Sequence, residues 1–87
     1  MQGVKLFLLW DNRHRMATVM RLKLAKRLRQ LRKRYGYTQE KLAELSGIDY
    51  KHIQLLESAN PSAAKIDTIE KLAKAFKMTP SKLLDFK

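Results

Sequence analysis

The chain carries two sets of side chains able to do chemistry, and neither is a catalytic set. The first is a block of cations: Arg21, Lys23, Lys26, Arg27, Arg29, Arg32, Lys33 and Arg34. Charges of one sign at this density repel one another unless a polyanion lies against them, so part of the block is expected to meet phosphates. The second set lies between Thr38 and Glu57, where Gln39, Tyr50, Lys51, His52 and Gln54 offer hydrogen-bond donors and acceptors. Catalytic equipment is lacking. There are two histidines and no cysteine, no glycine-rich phosphate loop and no acidic cluster at metal-ligand spacing. The reading is therefore no enzyme, no metal and no cofactor, with the eight acids serving as caps and ion-pair partners.

Net charge points the same way. A formal charge of +11 in 87 residues calls for a polyanionic partner, and nucleic acid is the expected one. The charge is lopsided: residues 1–39 hold eleven Lys and Arg against one Asp, and residues 40–87 hold eight Lys against seven acids. Eighty-seven residues make one small domain, a size that often gains stability by dimerising. The absence of cysteine fits a reducing cytoplasm.

The elements that must position these groups are helices. Leu24, Leu28 and Leu31 fall at helical spacing in a first helix predicted over 18–34, closed by Gly36. Thr38 is the expected cap of a second helix over 39–46, which puts Leu42, Ala43 and Leu45 on one apolar side. Gly47 supplies the left-handed residue of a sharp turn, Ile48 plugs the angle, and Asp49 caps a third helix over about 50–58 that buries Ile53 and Leu56. This is a helix-turn-helix pattern. Residues 58–62 form a loop around Pro61. Asp67 and Glu70 stand at capping-box spacing ahead of a fourth helix with Ile69, Leu72, Ala73 and Phe76 on its apolar stripe. Thr79 and Pro80 open a short fifth helix whose Leu83 and Leu84 are expected to fold back on the core. The fold is predicted all-α with five helices.

Residues 1–17 do not share this pattern. Val4 to Trp10 is an apolar run too short to span a membrane, and it lacks the basic start and cleavage site of a signal peptide. Three readings stand for this leader: an arm packing on a partner subunit, a disordered tail, or a start placed too far upstream, since Met16 or Met20 would each begin the domain over 18–87 cleanly.

On the markers Leu31-Arg32, Gly36, Thr38-Gln39, Leu42-Ala43, Gly47-Ile48, Ile53, Leu56-Glu57 and Ile66 through Phe76, the chain resembles the lambda-repressor-like family of helix-turn-helix proteins, the Cro or xenobiotic-response-element type. The resemblance covers about residues 22–85. It implies a DNA-binding transcriptional regulator, a repressor or autoregulator, that reads an inverted repeat as a homodimer. By position it implies a buried ion pair between Arg32 and Glu57. It implies a phosphate grip by Gln39 beside Thr38, and base reading from the third helix by Tyr50, Lys51, His52 and Leu55, with Gln54 beside them. Lys51 suits guanine acceptors or a phosphate, Gln54 an adenine, and Leu55 a thymine methyl. Arg27, Arg29 and Lys65 are the further phosphate candidates.

The family pattern is broken at three places. Leu55 stands where a polar reader is common, Ala59 replaces a glycine, and the loop after the third helix is about one residue longer, with Lys65 as its cation. An apolar Leu55 and the Val4–Trp10 run also suit an alternative function, an antitoxin-like protein-interaction module on the same fold with a toxin as partner. A third reading is sequence-indifferent nucleic-acid binding through the basic block.

Overall fold

The computed structural model describes the backbone of residues 2–86 and the side chains of residues 18–86. The three readings of the leader over 1–17 fall outside the described side chains. Five helices follow in order: α1 (Gln2–Tyr35), α2 (Gln39–Ser46), α3 (Tyr50–Leu56), α4 (Ile66–Ala75) and α5 (Pro80–Leu83), with no strand among the described residues. None of these helices is long and apolar enough, over the described residues, to cross a membrane.

α1 lays Leu24, Leu28 and Leu31 against Leu42, Ile53, Leu56, Leu72, Phe76 and Leu83, giving one continuous core drawn from all five helices. α1 stops where glycine lets it. Gly36 sits at φ 73, and the paired bonds Tyr37 N–H to Arg32 O (2.8 Å) and Gly36 N–H to Lys33 O (3.2 Å) close a Schellman motif. The same pair of bonds ends α4, from Met78 to Ala73 and from Lys77 to Lys74, but there the left-handed residue is Lys77 at φ 55. Three aromatic rings bolt the two ends together. Tyr35 meets Phe76 edge-on at 5.3 Å and Tyr37 stacks on it at 5.8 Å, while the Tyr35 and Tyr37 hydroxyls donate to the carbonyls of Phe76 and Ala75.

The turn between α2 and α3 is built by residues of three kinds. Thr38 caps α2, its Oγ1 accepting from Lys41 N–H at 3.0 Å. Gly47 takes φ 74 and donates to Ala43 O, a left-handed cap that an L side chain would occupy at a cost of about 1–2 kcal/mol. Ile48 is then buried in the angle. Ser46, which the apolar pattern did not single out, completes the turn: its hydroxyl donates to Ala43 O and accepts from the buried Ile48 N–H at 3.2 Å.

Several expectations need correction. Leu45 is 45% exposed, because the inner stripe of α2 runs from Leu42 to Ser46 and the helical turn carries Leu45 about 100° away from Ser46. Asp49 occupies the cap position of α3 without a side-chain cap bond, and α3 ends at Leu56 with Glu57 as its cap. The cap of α4 falls two residues ahead of the expected capping box. Lys65 is its cap residue, so Asp67 falls inside the first turn, where its charge favours the exposed N–H groups without capping them. Leu83 is fully buried, but Leu84 closes α5 with 43% of its surface in solvent. Thr79 does cap α5, accepting from Lys82 N–H, with Pro80 in the first turn.

Replacing Ser46 by Ala leaves the Ile48 N–H buried and unpaired. The expected cost is about 1–2 kcal/mol, read as a lower urea midpoint at unchanged slope. An unchanged midpoint would remove Ser46 from the turn's hydrogen-bond accounting.

Candidate nucleic-acid interface

α3 has seven residues, too few for a stable helix by itself, so its direction is set by what grips it. Ile53 and Leu56 anchor it in the core. Glu57, just past its end, is the tie to α1: the Arg32 Nε lies 3.0 Å from Oε2 and 3.2 Å from Oε1, and Nη2 donates to Oε1 at 3.0 Å. The Glu57 side chain is 1% exposed and that of Arg32 16%. Arg32 Nη1 also donates to Tyr37 O at 3.1 Å, and Gln39 Nε2 donates to Glu57 Oε1 at 3.3 Å. One carboxylate thus joins the ends of α1 and α3 to the start of α2. A second arginine of α1, Arg29, donates through Nη1 to the backbone carbonyl of Glu57, a favourable place for a cation because helix C-termini carry partial negative charge.

Held this way, α3 turns a defined face outward. At 3.6 residues per turn, Lys51 and Leu55 lie opposite the buried Ile53, one turn apart on the outermost line. Both are exposed, Leu55 to 53%. Tyr50 and Gln54 share one flank of that line and His52 takes the other; Gln54 is exposed, while Tyr50 and His52 are half-buried. Lys51 and Leu55 therefore lead the face, Gln54 and Tyr50 support it on one side, and His52 stands apart from them.

The Tyr50 flank borders an open cleft of ≈ 390 Å³ over the first turn of α2, lined by Arg32, Tyr37, Thr38, Gln39, Glu40 and Tyr50 among others. Thr38 and Gln39 both belong to this cleft. Gln39 uses one amide hydrogen on Glu57 and retains the other, beside the backbone N–H groups of the first turn that no carbonyl accepts from. The cleft can take an anion next to the outward face of α3, with Glu40 as its one negative side chain.

The other phosphate candidates do not gather there. Arg27 points to the opposite side of α1 and donates to Leu83 O at 3.2 Å and Lys82 O at 3.0 Å, closing the end of α5. Arg29 closes α3. Lys65 is exposed at the start of α4, at the end of a loop in which Pro61 is buried and Ser62 Oγ is turned inward without a hydrogen-bond partner among the described residues. No signal in the sequence marks Arg27 and Arg29 as helix-end caps, since their acceptors lie 56, 55 and 28 residues away. No group of His, Cys, Asp and Glu able to hold a metal occurs among the described residues.

Comparison with known proteins agrees with this geometry. The family model described as helix-turn-helix matches residues 28–83. The crystal structure of the restriction-modification controller protein C.AhdI from Aeromonas hydrophila is similar, with a TM-score of 0.67 and 36% sequence identity over 72% of this chain and 94% of that one. Comparison with curated proteins gives no match.

Removing the carboxylate at the centre of the network, by Glu57→Ala, strands the Arg32 guanidinium. The expected loss is about 3 kcal/mol of stability, measured by denaturant unfolding. Arg32→Ala is expected to cost a similar amount. The double variant should cost less than the two losses added, because the two single variants break the same bonds. Simple additivity would refute a coupled pair.

Proposed function

The chain belongs to the lambda-repressor-like helix-turn-helix family of sequence-specific DNA-binding transcriptional regulators, and we propose that it acts as a homodimer on an inverted-repeat operator. The observation that carries this reading is the outward face of α3, led by Lys51 and Leu55 and fixed from behind by the Arg32–Glu57–Gln39 network. A helix presented so rigidly and with so few residues suits the major groove, where Lys51 donates to guanine acceptors, Leu55 packs on a thymine methyl and Gln54 reaches an adenine. Gln39 and the first turn of α2 take the adjoining phosphate. Tyr50 and His52 contribute from the two flanks, and Lys65 from the loop.

A homodimer is supported by the apolar surface formed by α4 and α5. Ile66 is 85% exposed and borders a groove of ≈ 520 Å³ with Ile69, Met78, Pro80 and Leu84. Apolar surface of this kind is what a second subunit would cover. The second subunit also supplies affinity that one small module lacks. Likeness to a restriction-modification controller protein supports a regulatory role here, which we read as that of a repressor or autoregulator acting in the cytoplasm. The exposed Leu55 favours one other use of the reading face, a protein partner such as a toxin.

Selection from randomised duplex DNA by the purified protein, followed by sequencing, tests the proposal. Enrichment of an inverted repeat with half-sites one helical turn apart is expected. With the selected operator, Lys51→Ala should lose about 1–3 kcal/mol of discrimination between bases at one position of each half-site. Ile66→Asp should sediment as a folded monomer and bind the operator at least about tenfold more weakly. A pool that stays unenriched would move the search to a protein partner, with Leu55→Asp expected to break that complex.

A further inference from the structure

The basic block of α1 is divided by the structure. Its described part, residues 18–35, contains no Asp or Glu. Arg27, Arg29 and Arg32 are spent on the ends of α5 and α3 and on Glu57. The remaining cations have no such use. Measured around the helix axis from the buried Leu28, Lys23, Lys26, Gln30, Lys33 and Arg34 all lie within about 60° of the line opposite the core. Lys26, Lys33 and Arg34 are exposed and Lys23 is half-buried. No ion pair engages any of these cations among the described residues, and the described part of α1 offers them no acid. At one end of the stripe, Lys23, Lys26 and Gln30 border a shallow cleft of ≈ 270 Å³ with Phe86 and a single acid, Asp85.

The stripe is turned away from α3: at 100° per residue its midline lies about 120° around the α1 axis from the midline of Arg29 and Arg32, the edge that meets the end of α3. Left alone, it holds like charges in two groups, Lys23 with Lys26 one turn apart and Lys33 with Arg34 two turns further on, and the first pair weakens the helix. It becomes favourable only against a counter-charge.

We infer that the outer face of α1, formed by Lys23, Lys26, Gln30, Lys33 and Arg34, is a second DNA-binding surface that takes the sugar–phosphate backbone of a duplex segment other than the one read by α3. Backbone rather than acidic protein is argued from composition. From Lys23 to Arg34 the face holds point charges and an amide, with the exposed Val19 and Leu22 confined to its N-terminal side. From Lys23 to Arg34 it extends about 16 Å at 1.5 Å per residue, which faces about five phosphates of one strand at about 3.4 Å each. The second segment is a separate duplex. This inference rests on the reading that α3 occupies DNA.

The test loads the full-length protein with a saturating amount of unlabelled operator duplex, the one obtained by selection. A fluorescent duplex of unrelated sequence is then added at low salt, and its anisotropy is followed against protein concentration. Binding of the second duplex is expected while the operator stays bound. Lys26→Gln with Lys33→Gln is expected to weaken the second duplex at least about tenfold and to lower its salt slope by about two, roughly one per lost phosphate contact, while operator affinity changes less than about twofold. Circular dichroism should show the double variant as helical as the parent. Three outcomes overturn the inference: no binding of the second duplex; binding that ignores Lys26 and Lys33; or an equal loss at the operator, which would place the stripe inside the reading footprint. Displacement of the second duplex by polyglutamate, at a concentration of charge no higher than that of competing duplex, would assign the surface to an acidic protein instead and also overturns it. Failure of the operator reading itself is visible separately, as first-duplex binding indifferent to Lys51→Ala.

Discussion

The Glu57 carboxylate is the point on which this small domain turns. It accepts from Arg32 of α1 and Gln39 of α2 while sitting at the end of α3, so three helices are registered against one buried charge. Hydrophobic burial supplies most of the favourable energy, through Leu28, Leu31, Leu42, Ile53, Leu56, Leu72, Phe76 and Leu83, each nearly or fully excluded from water. Apolar contact is non-directional, however, and a seven-residue helix resting on Ile53 and Leu56 alone could roll. A bidentate guanidinium–carboxylate pair has one good geometry. The pair adds orientation more than net stability, since burying both charges costs roughly what their attraction returns.

That division between energy and orientation explains which parts of the structure were legible in the sequence. Periodic features were readable: the leucines of α1, the glycine stops at Gly36 and Gly47, the Thr38 and Thr79 caps and the stripe of α4 all rest on short-range rules. Errors came where two local rules competed. Leu45 looked inward on spacing alone, yet in an eight-residue helix the position of Ser46, with its hydroxyl needed by Ile48, set the inner stripe. Asp67 and Glu70 had capping spacing, but the chain entered α4 earlier, at Lys65. The inner side of α3 was readable from Ile53 and Leu56, but a role for its outward face was reachable only through likeness to a family, because no residue there names its ligand. The roles of Arg27 and Arg29 were beyond sequence reading altogether. Each cation meets a carbonyl from a distant part of the chain, and a carbonyl carries no residue-specific signature.

The ends of α1 and α4 show the same economy. Both finish in Schellman motifs, and the two left-handed residues, Gly36 and Lys77, flank the Tyr35–Tyr37–Phe76 cluster that locks those ends together. The tyrosine hydroxyls close carbonyls of α4 while their rings fill the space between the helices. Packing and hydrogen bonding are served by the same side chains, which suits a chain with little room for a larger core.

The choice between the two basic side chains along α1 has a bearing on how this protein can drift. Arg27, Arg29 and Arg32 each reach across to another helix through a planar fork, and Arg27 and Arg32 contact two acceptors at once. A lysine there would keep the charge and lose the fork. At positions 23, 26 and 33 the side chain is already lysine and holds no directed bond among the described residues. A run of eight cations that looks uniform on paper is thus two interleaved alphabets. In one, arginine and lysine are different letters; in the other, only the sign of the charge is spelled.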